Sequence, residues 1–255
     1  MRKILKNFFI GFSSVCIVFL IWHFAAKGMH PILLPGPIKV GGALIELAQS
    51  GMLWDAIKIS LTRVFSGWLL GSSIAVPLGL FAGTSLAARA ALDPFIHFFR
   101  FVPALALVSL FILWFGVGEL AKVNLIAFAV GFVTLVTTAS GASSIDSDKL
   151  NGAKSLGANH FDLFLKIILP ATLPSIFVGM RLALANAFLV IVAAEALAAQ
   201  EGIGFLIWNA RTFFRTDFIF VGIICFGGLG FICDRLWKLF GRTIISRYLT
   251  KLGNY

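Results

Sequence analysis

Six apolar runs, each about as long as a membrane-crossing helix, dominate this 255-residue sequence. The hydrocarbon core of a bilayer is ~30 Å thick, so a helix needs ~20 apolar residues to cross it. Only 13% of the residues are charged and 59% are hydrophobic, which leaves too little polar surface to coat a soluble globule. The sequence therefore predicts an all-α integral membrane protein with six transmembrane helices. The predicted spans lie near residues 8 to 26, 62 to 84, 99 to 117, 121 to 143, 173 to 199 and 216 to 237.

The basic residues, 21 against 11 acidic ones, give a formal net charge of +10. In a soluble protein this would suggest a nucleic-acid partner. Here the basic residues lie between apolar runs, which indicates cytoplasmic anchoring and no nucleic acid. Most of them share one side if the N-terminus is cytoplasmic, so we expect both termini in the cytoplasm and lipid around the spans. The first span follows a basic start like that of a signal peptide, but its long apolar run favours a retained helix.

The chain divides into four parts on this pattern. Residues 1–30 hold a cytoplasmic tail and the first span, residues 62–240 hold the other five spans, and residues 241–255 form a basic cytoplasmic tail. Residues 31–61 are expected outside the cytoplasm and to contain a short amphipathic helix that stops at Ser50 and Gly51. The apolar residues of that helix, at helical spacing, are Val40, Ala43, Leu44, Leu47 and Ala48.

A polar segment, residues 147–170, separates spans four and five. Asp148 can cap a short helix that Gly157 ends in a left-handed conformation. Asn159 can cap a second helix, which carries an apolar stripe and which Pro170 and Pro174 should separate from span five. We expect two short helices at an angle on the cytoplasmic face. Such a projection could transmit the motion of a soluble partner, or it could simply anchor the loop at the membrane surface.

The spacing in this segment resembles the EAA loop of permease subunits in binding-protein-dependent ABC importers, Glu-Ala-Ala-x3-Gly-x9-Ile-x-Leu-Pro. Ala153, Gly157 and the Ile-x-Leu-Pro end fall in register. Asn151 replaces the glutamate and Gly152 the first alanine, which puts in question any charge contact that the glutamate makes. The residues that the resemblance assigns to ATPase coupling are Asn151, Gly152, Ala153, Ser155, Leu156, Gly157, Phe161, Ile167, Leu169 and Pro170.

Further segments, over roughly residues 31 to 240, resemble the aliphatic sulfonate, taurine and nitrate permease branch of that family. Together they are specific, although each alone is a weak signal. They include Ser60 to Val64 with Gly67, Leu92 to Pro94, Arg100 with Val102-Pro103, Trp114 to Glu119, Leu173-Pro174, Gly179 to Arg181, Ala194-Glu195 and Gly202 to Gly204.

The resemblance implies a type I ABC importer permease fold and a defined set of partners. These are a second copy of this chain, two cytoplasmic ABC ATPase subunits and an extracytoplasmic solute-binding protein, in a bacterial cytoplasmic (inner) membrane. ATP and Mg²⁺ would be bound by the ATPase and no cofactor by this chain. The solute would be a small anion such as a sulfonate, taurine or nitrate, with a heterocyclic vitamin or its precursor as the alternative.

Charged residues and a proline within or beside spans are candidates for the translocation path or its gate. Glu195 lies near the outer end of span five and could instead be a structural carboxylate. Arg181 lies about 21 Å from it along the same helix, too far to pair, and could snorkel or pair with the loop. Arg100 could bind an anion or anchor the span, and Pro103 could kink the third span or border a cavity.

Catalysis has no candidate residues. The sequence has no recognisable nucleophile pattern, no metal-binding histidine spacing and no Gly-x4-Gly-Lys-Ser/Thr motif, so ATP hydrolysis must come from another chain. A secondary transporter or a polytopic membrane enzyme remains the alternative class. The former would favour several intramembrane acids and repeated halves, and the latter a cluster of polar residues near one membrane face.

Overall fold

The computed structural model describes residues 2–99 and 101–244, with side chains from residue 9 to residue 243, and is helical throughout with no strand in those ranges. Five helices are long and apolar enough to cross a membrane. The helices are α1 (Arg2–Lys27), α2 (Pro37–Gln49), α3 (Met52–Thr84), α4 (Leu86–Phe99), α5 (Ala104–Phe115), α6 (Glu119–Ser143), α7 (Ser147–Ser155), α8 (His160–Leu163), a π-helical turn (Phe164–Ile168), α9 (Leu169–Ala198), α10 (Ile203–Thr212) and α11 (Thr216–Ile244).

Helices α3, α6 and α9 form the centre of the bundle. Small residues let α3 lie against α6: a Cβ on Gly67 would come within 2.6 Å of the Cβ of Ile126, and one on Gly83 within 2.6 Å of the carbonyl oxygen of Ala139. In lipid, such close backbone approach is what gains dispersion contacts between helices. The glycines at spacing four therefore serve packing within this chain.

The direction of these helices fixes how the chain crosses the membrane. Arg63 and Glu119, near the starts of α3 and α6, are in contact, and Gly83 near the end of α3 lies beside Ala139. The two helices are therefore parallel. Because α6 starts level with Arg63, in the first half of α3, whereas α3 ends at the opposite end of the bundle, the segment between them must carry the chain back across the bundle. Helices α4 and α5, bent by 101° to each other, together make that crossing as one broken span.

The broken span corrects the predicted third span near residues 99 to 117. Helix α5 contains only 12 residues, and Pro103 stands immediately before it with an extended backbone, φ −68° and ψ 125°. Proline disfavours a helical conformation at the residue before it and lacks an N–H, which explains why the helix is interrupted here.

The amphipathic helix predicted after the first span is α2, which buries Val40, Ala43 and Leu47. It ends at Ser50, and Gly51 has a left-handed φ of +81°. Helix α3 then starts at Met52, ten residues before the predicted second span, so the division after residue 61 falls inside a helix.

Helix α1 is almost unpacked. Near its end, the ring of Trp22 stacks on Phe220 at 5.6 Å and its Nε1 donates to the carbonyl oxygen of Pro35 at 3.0 Å. We call the end of the bundle that carries α10 the α10 end, and the opposite end, which carries α7 and α8, the α7 end. Helix α11 runs from the first to the second, since Gly241 near its end packs on Phe177 of α9.

Candidate functional sites at the two ends of the bundle

A buried arginine organises the α10 end. The Nε and Nη2 atoms of Arg63 each donate to one carboxylate oxygen of Glu119 at 2.6 Å. Its Nη1 donates to Oε1 of Glu195 at 2.8 Å and to the carbonyl oxygen of Glu201 at 2.7 Å. The Arg63 side chain is only 5% exposed. One guanidinium thus joins α3, α6, α9 and the chain before α10 through charge-assisted hydrogen bonds.

Glu195 is fully buried within this group. The Ser60 hydroxyl donates to Oε1 at 2.7 Å, and the backbone N–H of Gly204 donates to Oε2 at 2.8 Å. A buried carboxylate is stable only when it is paired and hydrogen-bonded, and both conditions hold here. Of the two interpretations of Glu195, the geometry favours the structural one.

Lys122 completes the cluster from α6. Its Nζ lies 3.0 Å from Oε1 of Glu119, one turn earlier on the same helix, and the lysine is buried. Two buried cations therefore share the carboxylate of Glu119, which is itself 60% exposed.

A large cavity opens beside this cluster at the α10 end. Its volume is about 1010 Å³, and its wall includes Lys58, Arg63, Glu119 and Asn209. Arg215 also lines it, held by Glu46 at 2.8 Å and by Asp217 at 3.1 Å. The hydrogen bonds that Arg215 donates to Asp217 and Glu46 raise the pKa of Arg215, so this guanidinium remains charged.

Arg181 pairs with an acid that the sequence did not indicate. Its Nε and Nη2 donate to the two carboxylate oxygens of Asp234 on α11 at 2.5 and 2.9 Å. Neither snorkelling nor pairing with the loop, the two predicted roles, describes this contact. The ion pair lies inside the bundle's length and ties α9 to α11, which aromatic packing of Phe177 on Trp237 also joins.

The other pathway candidates are placed separately from Glu195. Pro103 borders a cavity of about 410 Å³ whose wall also includes Asn186, Thr137 and Phe128. Arg100 lies outside the described residues, as does the basic tail from residue 245 onward. The structure therefore does not gather Glu195, Arg181 and Pro103 into one site.

At the α7 end, local sequence signals determine the loop between α6 and α9. Asp146, rather than the predicted Asp148, caps α7: its side chain accepts from the backbone N–H of Asp148 at 2.9 Å. Gly157 has a φ of +86°, and the N–H of Ala158 closes the helix on the carbonyl of Ala153. The side chain of Asn159 accepts from the N–H of Asp162 at 2.8 Å, as the sequence predicts.

The predicted break before span five is absent. Helix α8 continues through the π-helical turn directly into α9, so residues His160–Ala198 form one apolar helical run. Pro170 lies in the first turn of α9, where a missing N–H is tolerated. The widened π-helical turn before it lets the helix pass the proline without separating into two pieces.

The predicted coupling residues differ in exposure along this loop. Ile167, Leu169 and Pro170 are half-buried where the loop joins α9, whereas Asn151, Gly152 and Ser155 are exposed and Ala153 is half-buried on α7. Leu156 is 90% exposed and Phe161 is 70% exposed. Two large apolar side chains thus project from a polar loop beyond the bundle.

Sequence reasoning missed the roles of Arg63, Glu119, Lys122 and Asp234. Arg63 and Glu119 lie in segments that resemble the family, but the sequence pattern does not indicate that they contact each other or Lys122. The sequence feature that could have indicated these contacts is the presence of charged residues in otherwise apolar helices, because an unpaired ionisable group is costly there.

A helical bundle with five helices long enough to cross a membrane, a broken span and a projecting loop is the architecture of a polytopic membrane protein. The chain belongs to the family described as binding-protein-dependent transport system inner membrane component, whose model matches residues 75–246. It is therefore a multi-pass inner-membrane permease subunit of an ABC importer. This confirms the predicted family and the expectation that the chain is a non-catalytic transport subunit.

Relatives named for three solutes match most of the chain. The aliphatic sulfonates transport permease protein SsuC of Bacillus subtilis is 37% identical over 92% of this chain and 86% of its own. The taurine transport system permease protein TauC of Escherichia coli is 31% identical over 88% and 84%. The nitrate import permease protein NrtB of Leptolyngbya laminosa is 35% identical over 74% and 67%.

Solved ABC transporters share the fold. The MetNI methionine transporter in inward-facing conformations matches with a TM-score of 0.65 and 15% identity, over 77% of this chain and 96% of that one. A bacterial alginate transporter, solved with a periplasmic protein bound to an alginate pentasaccharide, matches with a TM-score of 0.66 and 16% identity, over 96% and 97%. The predicted all-α fold of an ABC importer permease is thereby confirmed.

Proposed function

We propose that this permease imports a small oxyanion, and that the loop of residues 147–170 couples it to a cytoplasmic ATPase. The observation that carries the coupling role is the pair of exposed apolar side chains, Leu156 and Phe161. They stand on a loop whose conformation is fixed by helix caps and by the left-handed Gly157. Apolar side chains that point away from both the core and the spans need a protein partner to leave water. A partner seated there could move α6 and α9 together, because α9 continues from the loop without a break.

The α7 end faces the cytoplasm in this proposal, and the α10 end faces the binding protein. The distribution of lysine and arginine along the sequence favours this orientation, since most of them lie on one side if the N-terminus is cytoplasmic and these residues are enriched at cytoplasmic ends. Helix α11 runs from the α10 end to the α7 end, so we expect the chain after it on the cytoplasmic side. Because α1 reaches the α10 end at Trp22, a single crossing by α1 supports a cytoplasmic N-terminus as well.

The assembly we infer contains two copies of this permease, two ATPase subunits that bind ATP and Mg²⁺, and an extracytoplasmic solute-binding protein. The family is described as a component of binding-protein-dependent transport, and the similar alginate transporter was solved with a periplasmic protein. These similarities support an assembly with an ATPase and a binding protein as partners. The unpacked apolar surface of α1 is consistent with further contacts, to lipid or to a second copy.

The solute class follows from the relatives and from the charges at the α10 end. The three relatives named above are described as permeases for aliphatic sulfonates, taurine and nitrate. All three solutes carry a compact negative group. We therefore favour an oxyanion over the vitamin alternative.

Gly157→Val tests the coupling role. A β-branched residue is strained at the left-handed φ of +86°, so the end of α7 and the positions of Leu156 and Phe161 should shift. In the complex reconstituted with its ATPase and binding protein, we expect Gly157→Val to abolish solute-dependent ATP hydrolysis while the permease still inserts. Normal stimulated hydrolysis would contradict the coupling role.

Gly51→Val is the matched control. Gly51 also has a left-handed φ, +81°, and a Cβ there meets nothing within 4 Å, as at Gly157. It lies at the α10 end, between α2 and α3. Stimulated ATP hydrolysis should survive in Gly51→Val, which separates local strain from loss of coupling.

A further inference from the structure

We propose that Arg63 and Lys122 form a binding seat for one oxyanion at the α10 end, and that Glu119 occupies this seat as an internal competitor. We call these two cations the oxyanion seat. The proposal rests on the proposed function only for the class of solute.

The guanidinium of Arg63 is held in one orientation whether or not Glu119 is present. Its Nη1 donates to Glu195 and to the carbonyl oxygen of Glu201, at 2.8 and 2.7 Å. These two contacts fix one edge of the planar group. The other edge, Nε and Nη2, points at the two oxygens of Glu119 as a fork. A fork of this kind fits any planar or tetrahedral oxyanion with two oxygens to offer.

Lys122 adds a third donor to the fork. Its Nζ lies 3.0 Å from the same Oε1 of Glu119 that accepts from Nη2 of Arg63. Both cations are buried, and the attraction between buried cations and an anion at the cavity wall is stronger than it would be in bulk water. The three donors thus converge on two oxygen positions, which two oxygens of a sulfonate or nitrate group could occupy.

The charges of the cluster leave room for one negative charge once Glu119 departs. Glu195 neutralises one of the two cations and is fully buried behind four hydrogen bonds, from Ser60 twice, Arg63 and Gly204. Glu119 neutralises the other. Without it the cluster carries a net charge of one positive unit, which a single monovalent oxyanion would restore to neutrality.

Glu119 is the carboxylate able to leave. Its side chain is 60% exposed, whereas that of Glu195 is fully buried. Glu119 also lines the cavity of about 1010 Å³ from which a solute would approach. Rotation of its side chain into that space would uncover the fork of Arg63 without moving a helix.

The seat predicts a gain of binding when its internal competitor is removed. A competitor that fills the seat more than nine-tenths of the time lowers the apparent affinity by about tenfold or more. We therefore expect Glu119→Gln to bind ethanesulfonate at least about tenfold more tightly than the natural protein. The full-length permease, purified in lipid nanodiscs at low chloride, would be titrated with ethanesulfonate by calorimetry.

Glu46→Gln is the matched control. Glu46 lies at the same end, is 58% exposed and pairs with an arginine at 2.8 Å, but Arg215 keeps Asp217 as a second partner. Its affinity for ethanesulfonate should equal that of the natural protein. Adding Lys122→Met to Glu119→Gln should remove the gain. Ethanesulfonamide, which has a similar shape and no charge at neutral pH, should not bind.

Three outcomes would overturn the seat. These are an unchanged affinity in Glu119→Gln, a gain that survives Lys122→Met, or equal binding of the uncharged sulfonamide. If Glu119→Gln is unfolded, Glu119→Asp gives the same test, because its shorter side chain draws the carboxylate away from the fork and should also raise affinity. Binding is measured without ATPase, so its failure is distinct from a failure of coupling through Gly157.

Discussion

The two ends of the bundle satisfy their side chains in opposite ways. At the α10 end, charged groups point inward: Arg63, Glu195 and Lys122 are buried and pair with one another or with Glu119. At the α7 end, apolar groups point outward, and Leu156 is 90% exposed. Buried charges are stable only if the chain supplies their partners, whereas exposed apolar groups await a partner from elsewhere. At the α10 end the chain thus supplies the partners of its own buried charges, whereas at the α7 end it leaves large apolar side chains exposed.

Removal of Arg63 should have the largest effect on stability, because it removes the cation that pairs with both Glu195 and Glu119 at the α10 end. Arg63→Met leaves Glu195 buried without its counter-charge, and breaking a buried ion pair costs about 3–5 kcal/mol. We expect a large fall in the thermal unfolding temperature of the detergent-purified permease. Arg89→Met is the control, since Arg89 and its partner Asp93 are 56% and 44% exposed and pairs at the surface are worth about 1 kcal/mol or less. Equal losses in both variants would show that burial does not separate the two pairs.

A smaller loss is expected from Gly202→Ala. The backbone of Gly202 has a φ of +114°, and a Cβ there would collide with the carboxylate of Glu195. Strain of this kind costs about 1–3 kcal/mol, and displacement of Glu195 would disturb Arg63 as well. Gly41→Ala in α2, where a Cβ meets nothing within 4 Å, is the control in the same unfolding measurement and should not lower the unfolding temperature, since alanine favours a helix more than glycine does. If both variants unfold at the same temperature, the close fit around Glu195 is not needed.

The α7 end should respond in binding rather than in stability. Leu156→Ser and Phe161→Ala remove exposed apolar surface, and exposed substitutions change stability by no more than about 0.5 kcal/mol. If the ATPase buries these side chains, each variant should weaken ATPase association by roughly tenfold, the loss of about 1.4 kcal/mol that truncated interface anchors commonly show. Association is measured with immobilised permease and purified ATPase. If these variants lower the unfolding temperature and leave ATPase association intact, the α7 end contributes to stability and not to ATPase binding, which would contradict the proposed difference between the two ends.

Local features of the fold could be predicted from the sequence, and distant pairings could not. The amphipathic α2, the left-handed Gly157 and the cap by Asn159 depend on residues within one or two turns of each other. The partner of Arg181 is 53 residues away, and Arg63 and Glu195 are 132 residues apart. Spacing along the chain carries no information about which charges meet when helices pack.

The sequence pattern also could not predict which prolines interrupt a helix. Pro103 interrupts a span, whereas Pro170 and Pro174 do not. The difference is structural context: Pro170 lies in a first turn that follows a π-helical turn, while Pro103 follows a break between two helices bent by 101°. The same residue type therefore predicts a break only where neighbouring packing allows the chain to turn.

The smallest effect should come from restoring the family's acid at the α7 end. Asn151 is exposed on α7, and its backbone carbonyl oxygen accepts a hydrogen bond from the Ser155 hydroxyl at 3.0 Å. A glutamate there creates no buried charge, and Lys154 one turn later can offset it. We expect Asn151→Glu to leave the unfolding temperature unchanged and stimulated ATP hydrolysis within about twofold, since a favourable helix pair is worth only about 0.2–0.5 kcal/mol. Assembly of the complex is measured in parallel by size-exclusion chromatography. Loss of assembly with unchanged unfolding would mean that the ATPase surface facing Asn151 requires a neutral residue, which would place a partner-specific contact at the position that departs from the family motif.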